Sequence, residues 1–157
     1  MKNRAHVITV SDGVSAGTRE DSSGKALRVM LDRAGFEVSG PEVVPDDVQR
    51  IQQAITQAAA DFVVTTGGTG LGPRDVTPQA TASLVDYEVP GLGELMRRAG
   101  AASTPMAYLS RGLAGVHGHT LILNVPGSTK GATESLEAVL PVIDHAMQLL
   151  HGDTRHA

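Results

Sequence analysis

Asp61-Phe62-Val63-Val64-Thr65-Thr66-Gly67-Gly68-Thr69-Gly70-Leu71-Gly72-Pro73-Arg74-Asp75-Val76-Thr77-Pro78 joins a strand, a glycine-rich loop and the start of a helix. Phe62-Val63-Val64 is an apolar run of strand-forming residues, long enough for one buried strand. Gly67, Gly68, Gly70 and Gly72 follow at once. Such a loop has little side-chain bulk to hold a ligand off its backbone, so successive N–H groups can converge on an anion such as phosphate. Thr65, Thr66 and Thr69 add hydroxyls. Thr77-Pro78 reads as an N-cap followed by a first-turn proline. Asp75 places a carboxylate at the mouth of the loop, where it can hold a metal ion. A plain glycine-rich turn is the simpler reading of the same residues. The loop is neither a Walker A motif, which needs a following Gly-Lys-Ser/Thr, nor a Gly-x-Gly-x-x-Gly dinucleotide loop.

Outward from this segment, strands and helices alternate. Ala5 to Val10 is strand-like and ends at Ser11-Asp12-Gly13. After a polar loop, Asp21-Ser22-Ser23 offers an N-cap for a helix with Leu27, Met30, Leu31 and Ala34 on one face, stopped at Gly35. Phe36 to Val44 is a second strand whose Gly40-Pro41 predicts an edge position or a bulge. Pro45-Asp46-Asp47 caps a helix carrying Val48, Ile51, Ile55 and Ala58. Beyond the glycine loop, helices are expected over 78–85 and 92–102, with breaks at Val89-Pro90-Gly91 and Thr104-Pro105. Residues 112–119 suggest a hairpin arm turning at Gly118, and Thr120 to Val125 is a strand that ends in Pro126-Gly127-Ser128. A last helix uses Leu136, Val139, Leu140, Ile143, Ala146 and Leu150, with Pro141 inside it, and 152–157 is a polar tail. This alternation predicts an α/β fold: a three-layer α/β/α sandwich with a mainly parallel sheet. Ligands of such sheets sit outside the carboxyl ends of the strands. Ser11-Asp12, the glycine loop and Pro126-Gly127-Ser128 all fall there.

The 157 residues suit one domain, with a core over about 5–151, and 41% are hydrophobic. A net charge of −4 argues against general nucleic-acid binding. With two Phe, two Tyr and no Trp, base-stacking platforms are scarce as well. The absence of cysteine excludes disulfides and thiolate chemistry. No apolar run approaches the roughly 20 residues of a membrane span. Met1 to Arg4 leads into a strand with no signal-peptide pattern, so a cytoplasmic location is expected.

Several segments together carry a resemblance: Ser11-Asp12, Asp21 to Gly24, Pro45-Asp46, Thr66-Gly67-Gly68-Thr69-Gly70 with Asp75-Val76-Thr77-Pro78, Ser110-Arg111-Gly112, and Leu123-Asn124-Val125-Pro126-Gly127-Ser128. In this order the chain resembles the molybdenum cofactor biosynthesis family typified by molybdopterin adenylyltransferase, the Mog/MoaB-like proteins. The likeness runs from about His6 to Leu150. It implies a molybdopterin-binding domain, assembled as a homotrimer or a hexamer, that transfers AMP from Mg-ATP to the terminal phosphate of molybdopterin and releases pyrophosphate. A molybdenum-insertion protein would then be the downstream partner. By motif, Asp12, Asp46 and Asp75 match the family's active-site acids, and Gly67 to Gly70 and Pro126 to Ser128 its ligand loops. Gly13 departs from the larger polar residue that many relatives carry there.

The implied nucleophile is a phosphate monoester with a second pKa of about 6, mostly dianionic at neutral pH. It needs no general base. The protein has to bring two polyanions together and stabilise charge during transfer. Mg2+ suits that task through carboxylate and phosphate oxygens, with Asp46 and Asp75 as its expected ligands. The plainer alternatives are that Asp46 or Asp47 caps a helix and that Asp12 forms an Asx turn. Arg74, Arg111 and Lys130 are candidate cations for the anionic substrates, against a solvated-surface reading. Ser11, Thr66, Thr69, Ser110 and Ser128 are candidate donors, and Ser128 can also cap the last helix. His117-x-His119 lacks a visible third metal ligand. A binding module that carries molybdopterin without nucleotide chemistry is the second functional reading. A nucleotide-binding enzyme of another pathway is the third.

Overall fold

The computed structural model describes residues 2–155, so part of the expected tail lies outside the described residues. Its strands are β1 (Arg4–Val10), β2 (Glu37–Val44), β3 (Phe62–Thr66), β4 (Tyr87–Glu88), β5 (Ala114–His117) and β6 (Thr120–Val125). They form one six-stranded sheet in the order β2-β1-β3-β6-β5-β4. The four strands β2, β1, β3 and β6 run parallel, while β5 and β4 are antiparallel additions at one edge. The hairpin from β5 to β6 turns at Gly118, as the sequence predicts. The two-residue strand β4 has no counterpart in the sequence reading. It is too short for a hydrophobic period and exists through its pairing with β5.

The helices are α1 (Asp12–Ser15), α2 (Ser22–Arg33), α3 (Val48–Gln57), α4 (Thr77–Leu84), α5 (Pro90–Ala101) and α6 (Thr129–Leu150), with a 3₁₀ turn at Pro105–Leu109. Successive strand residues point to opposite faces, which divides the apolar residues between two cores. Val7, Val64, Leu121 and Leu123 pack with Leu27, Leu31, Met96, Leu136, Val139 and Ile143 from α2, α5 and α6. Ile8, Val63 and Ile122 pack on the other face with Ile51, Ala54, Ile55 and Ala80 from α3 and α4. Full burial of each large aliphatic side chain contributes roughly 1.5–3 kcal/mol. The sheet is therefore the middle layer of a three-layer α/β/α sandwich.

Edge strand β2 bears out the reading of Gly40-Pro41: their peptide bond is cis, and the β1–β2 register shifts opposite them between His6 and Ile8. Three local expectations are corrected. The loop after β1 begins with one helical turn, because the Ser11 hydroxyl accepts from the Val14 N–H at 3.2 Å. Helix α5 starts at Pro90, where the missing proline N–H costs nothing in a first turn. Thr77 is the first residue of α4 and not its cap; Val76 precedes it without a side-chain capping bond. The Thr77 hydroxyl instead donates back to the Gly67 carbonyl at 2.9 Å.

The chain leaves β1 for β2 on one side and leaves β3 for the other side of the sheet. The carboxyl ends of β1 and β3 therefore flank a topological switch point, where a crevice opens.

Candidate active site

Three strand ends meet at this crevice. After β3, Gly67 and Gly68 take φ values of +103° and +70°, a region open to glycine at little cost. A Cβ at Gly67 would run into the Val10 carbonyl, and one at Gly68 into the Thr77 hydroxyl. Along this path the N–H groups of Gly68, Thr69 and Gly70 donate to no protein acceptor among the described residues. The loop after β6 lies against it: a Cβ at Gly127 would stand 3.2 Å from the Gly67 Cα. The buried Thr66 hydroxyl ties the two loops by donating to the Pro126 carbonyl at 2.8 Å. Ser128 then caps α6 by accepting from the Gly131 N–H at 3.1 Å, which brings the positive end of a 22-residue helix to the same place.

Arg111 fixes the shape of the glycine loop. Its Nε donates to the Gly70 carbonyl at 2.9 Å, Nη2 to the Asp75 carbonyl at 2.8 Å and Nη1 to Gln79 Oε1 at 3.1 Å. Its own N–H donates to the Thr69 carbonyl at 2.8 Å. The candidate substrate cation is thus a clamp on the loop. Lys130 is exposed beside Glu134, and Ser110 lies 3.4 Å from the Thr69 hydroxyl.

The acids follow three strands: Asp12 comes after β1, Asp46 after β2 and Asp75 after β3. Asp47 caps α3 by accepting from the Arg50 N–H at 2.9 Å, which leaves its neighbour Asp46 for the crevice. Asp46 and Asp12 are bound reciprocally: Asp46 Oδ2 accepts from the Asp12 N–H at 2.9 Å, and Asp12 Oδ1 accepts from the Asp46 N–H at 3.0 Å. Asp46 Oδ1 faces the position that a Gly68 side chain would take. Asp75 Oδ2 accepts from the Gly72 N–H at 2.9 Å, so this carboxylate forms its own turn while facing the cleft. Burial holds the Asp46 pKa above the usual carboxylate value, with the charges of Asp12 and Asp75 adding to the rise. Asp12 is lowered, chiefly by its hydrogen bonds from Arg74 and then by the Asp46 N–H.

Two basins open from the glycine loop. One, of about 680 Å³, is lined by Asp46, Asp75, Ser11 and Gly67 to Gly70. It also takes in Thr9, Arg19, Asp21 and Ser23, which were not among the sequence candidates. Asp21 to Gly24 stands among the family segments, but its role needs the fold: Asp21 accepts from the Gly24 N–H at 3.0 Å and from the Thr9 hydroxyl at 2.9 Å. The second basin, of about 470 Å³, is walled by Met96, Met106, Ala107 and Leu109, with Asn124 and Lys130 at its edge. Thr69, Gly70 and Ser128 line both. His117 and His119 do not join the site. They bond the Leu84 and Leu150 carbonyls at 3.0 and 3.1 Å, and among the described residues no three His, Asp or Glu side chains form a preassembled metal cage.

Residues 6–145 match the family model described as "Probable molybdopterin binding domain". The chain is 39% identical over 156 residues to a molybdopterin adenylyltransferase of Helicobacter pylori, covering 94% of this chain and 87% of that protein. It is also 39% identical to a molybdenum cofactor biosynthesis bifunctional protein of Chlorobaculum tepidum, of which it spans about half, 49% of the length. The crystal structure of the molybdopterin biosynthesis enzyme MoaB of Thermus thermophilus superposes with a TM-score of 0.89 at 52% identity, covering 96% of this chain and 97% of the other. With a family match across most of its length and the motif loops gathered at one crevice, the chain belongs to the molybdopterin-binding domain family of molybdenum cofactor biosynthesis.

Proposed function

We propose that this chain is a molybdopterin adenylyltransferase, transferring AMP from Mg-ATP to the terminal phosphate of molybdopterin. The row of N–H groups at Gly68, Thr69 and Gly70 carries this reading, because it lies where an acidic basin and an apolar basin meet. The acidic basin suits Mg-ATP and the apolar one a flat pterin. A phosphate at the shared Thr69-Gly70-Ser128 rim would be in reach of both. The match to a relative named for this activity over 87% of its length supports the same reading.

The donor set fits Mg2+. This ion keeps several waters and takes one or two carboxylates together with substrate phosphates, so it needs no complete protein cage. Asp46 and Asp75 would hold it. When bound, the ion offsets charge on the phosphate oxygens. The chain's own part is positional. The glycine loop orients the dianionic terminal phosphate of molybdopterin, and one of its oxygens attacks the α-phosphorus of ATP. A new P–O bond forms as the bond from the α-phosphorus to its bridging oxygen breaks, and pyrophosphate leaves. No proton has to be removed from the nucleophile.

Pyrophosphate release on mixing the protein with Mg-ATP and molybdopterin tests the proposal. Stoichiometric release is expected; molybdopterin binding without release would instead indicate a carrier. We also propose a homotrimer in the cytoplasm that passes its product to a molybdenum-insertion protein. Of the apolar residues near the proline breaks, Leu92 and Met96 belong to the core, whereas Met106 and Leu109 are exposed beside Tyr108. Light scattering should give a trimer mass, and a monomer at micromolar concentration would contradict that part. No helix of the described residues is long and apolar enough to cross a membrane.

A further inference from the structure

Arg74 stands on the exposed crest of the glycine loop, between Gly72 and Asp75. It engages Asp12 with both arms: Nε donates to Oδ2 at 3.0 Å and Nη2 to Oδ1 at 3.1 Å. Oδ1 also accepts the Asp46 N–H. The Asp12 carboxylate, bonded to Asp46 beside the acidic basin, therefore already accepts three donors and is a poorer ligand for a second cation while Arg74 is in place. Asp46 and Asp75 carry no such partner among the described residues. The loop beneath Arg74 is held at Gly70 and Asp75 by Arg111, so the guanidinium can leave Asp12 by side-chain rotation with the loop unchanged. A guanidinium binds carboxylate and phosphate with the same two-pronged geometry.

We infer that Arg74 is a positioning residue that occupies Asp12 in the ligand-free protein and passes to the polyphosphate when the metal–nucleotide enters. The inference rests on the reading of the acidic basin as the Mg-nucleotide site. A divalent cation held by Asp46 and Asp75 gains the neighbouring Asp12 carboxylate only in competition with Arg74, whereas a cation arriving on a nucleotide brings the phosphate that draws Arg74 away. Metal and nucleotide then bind together more readily than metal first.

Mn2+ is the probe, its binding read by electron paramagnetic resonance with and without an ATP analogue methylene-bridged between the α- and β-phosphates. Wild type, Arg74→Ala and Asp12→Asn are compared, with melting curves as the folding control. Arg74→Ala should bind Mn2+ alone about three- to fivefold more tightly, the scale on which one exposed ion pair competes. The same variant should bind the Mn2+–analogue complex about tenfold more weakly, having lost a charge-assisted phosphate contact. Asp12→Asn should not show the gain for Mn2+ alone. Opposite signs for the two ligands are the signature. Equal affinities in Arg74→Ala and wild type, losses of both ligands together, or no Mn2+ binding to either protein would overturn the inference. If the wild type binds Mn2+ but not its nucleotide complex, the adenylyltransferase reading fails, and the Mn2+ comparison still decides whether Arg74 blocks Asp12.

Discussion

The guanidinium of Arg111 donates to the backbone carbonyl of Asp75 at 2.8 Å while its Nε holds the Gly70 carbonyl at 2.9 Å. One side chain from the segment between the 3₁₀ turn and β5 thus spans the loop that carries the candidate phosphate site. Arg111→Ala should cost about 2 kcal/mol, the scale of losing hydrogen bonds to a charged group, and weaken phosphate-ligand binding at least about tenfold. Arg111→Lys should restore little, because one ammonium cannot reach both carbonyls with fixed geometry. Thermal melts paired with ligand titration check this. A variant with wild-type affinity would show that the loop keeps its shape without the clamp.

Gly67 and Gly68 separate folding from binding. A side chain at Gly67 meets a backbone carbonyl of β1, which cannot yield, whereas one at Gly68 meets the Thr77 hydroxyl and stands 3.1 Å from Asp46 Oδ1. Gly67→Ala should therefore be the more destabilising substitution. Gly68→Val should also lose stability, through a left-handed φ that costs roughly 1–2 kcal/mol and a displaced Thr77 hydroxyl. Its larger effect should be loss of ligand binding in the protein that still folds. Chemical denaturation of both variants, with titration of folded Gly68→Val, tests the ranking. Unchanged affinity in Gly68→Val would reduce the loop to a turn.

Asp12 and Asp46, although mutually hydrogen-bonded, should affect stability with opposite signs. Burial raises the folded-state pKa of Asp46, so the folded chain holds its proton more tightly than the unfolded chain. Its contribution to stability then falls as pH rises from the ordinary aspartate value, about 3.9, through the raised one. Asp46→Asn keeps an acceptor for the Asp12 N–H and should melt higher than wild type at pH 7, the gap closing as pH is lowered below about 4. Arg74 lowers the pKa of Asp12, whose contribution is present above the ordinary value and lost as pH falls through the lower one. Asp12→Asn should accordingly melt lower than wild type at pH 7. Melting curves of the ligand-free proteins at the two pH values decide it; shifts of the same sign would contradict the assignment.

How far the sequence reaches is visible in these residues. The apolar run 62–64, the glycine loop and the strand at 120–125 are local patterns, and they place the sheet and the crevice correctly. Strand β4 and the helical turn at 12–15 are too short to carry a period, so only their hydrogen bonds define them. Asp46 and Asp47 are equivalent as sequence; the fold separates them by giving the cap to Asp47. Arg111 looks like a substrate cation beside a motif, but its partners are carbonyls 36 and 41 residues away, a relationship no spacing rule reaches. The apolar basin is harder still to foresee, since Met96 and Leu109 come from α5 and the 3₁₀ turn and gain meaning only when those elements close over Gly70.

Asp75 tests most sharply whether the carboxylates at this crevice serve adenylyl transfer. Asn can still accept the Gly72 N–H, so Asp75→Asn should keep the turn and the melting temperature while removing a charge that positions the metal. Single-turnover transfer of AMP, labelled at the α-phosphate of ATP, to molybdopterin is followed for wild type and Asp75→Asn. The wild type should form adenylylated molybdopterin and pyrophosphate in equal amounts. The variant should be slower by about 10²–10³, the usual effect of removing one preorganised electrostatic contact. A wild type that binds molybdopterin but transfers no AMP, or a folded variant retaining more than about a third of the rate, would contradict the account.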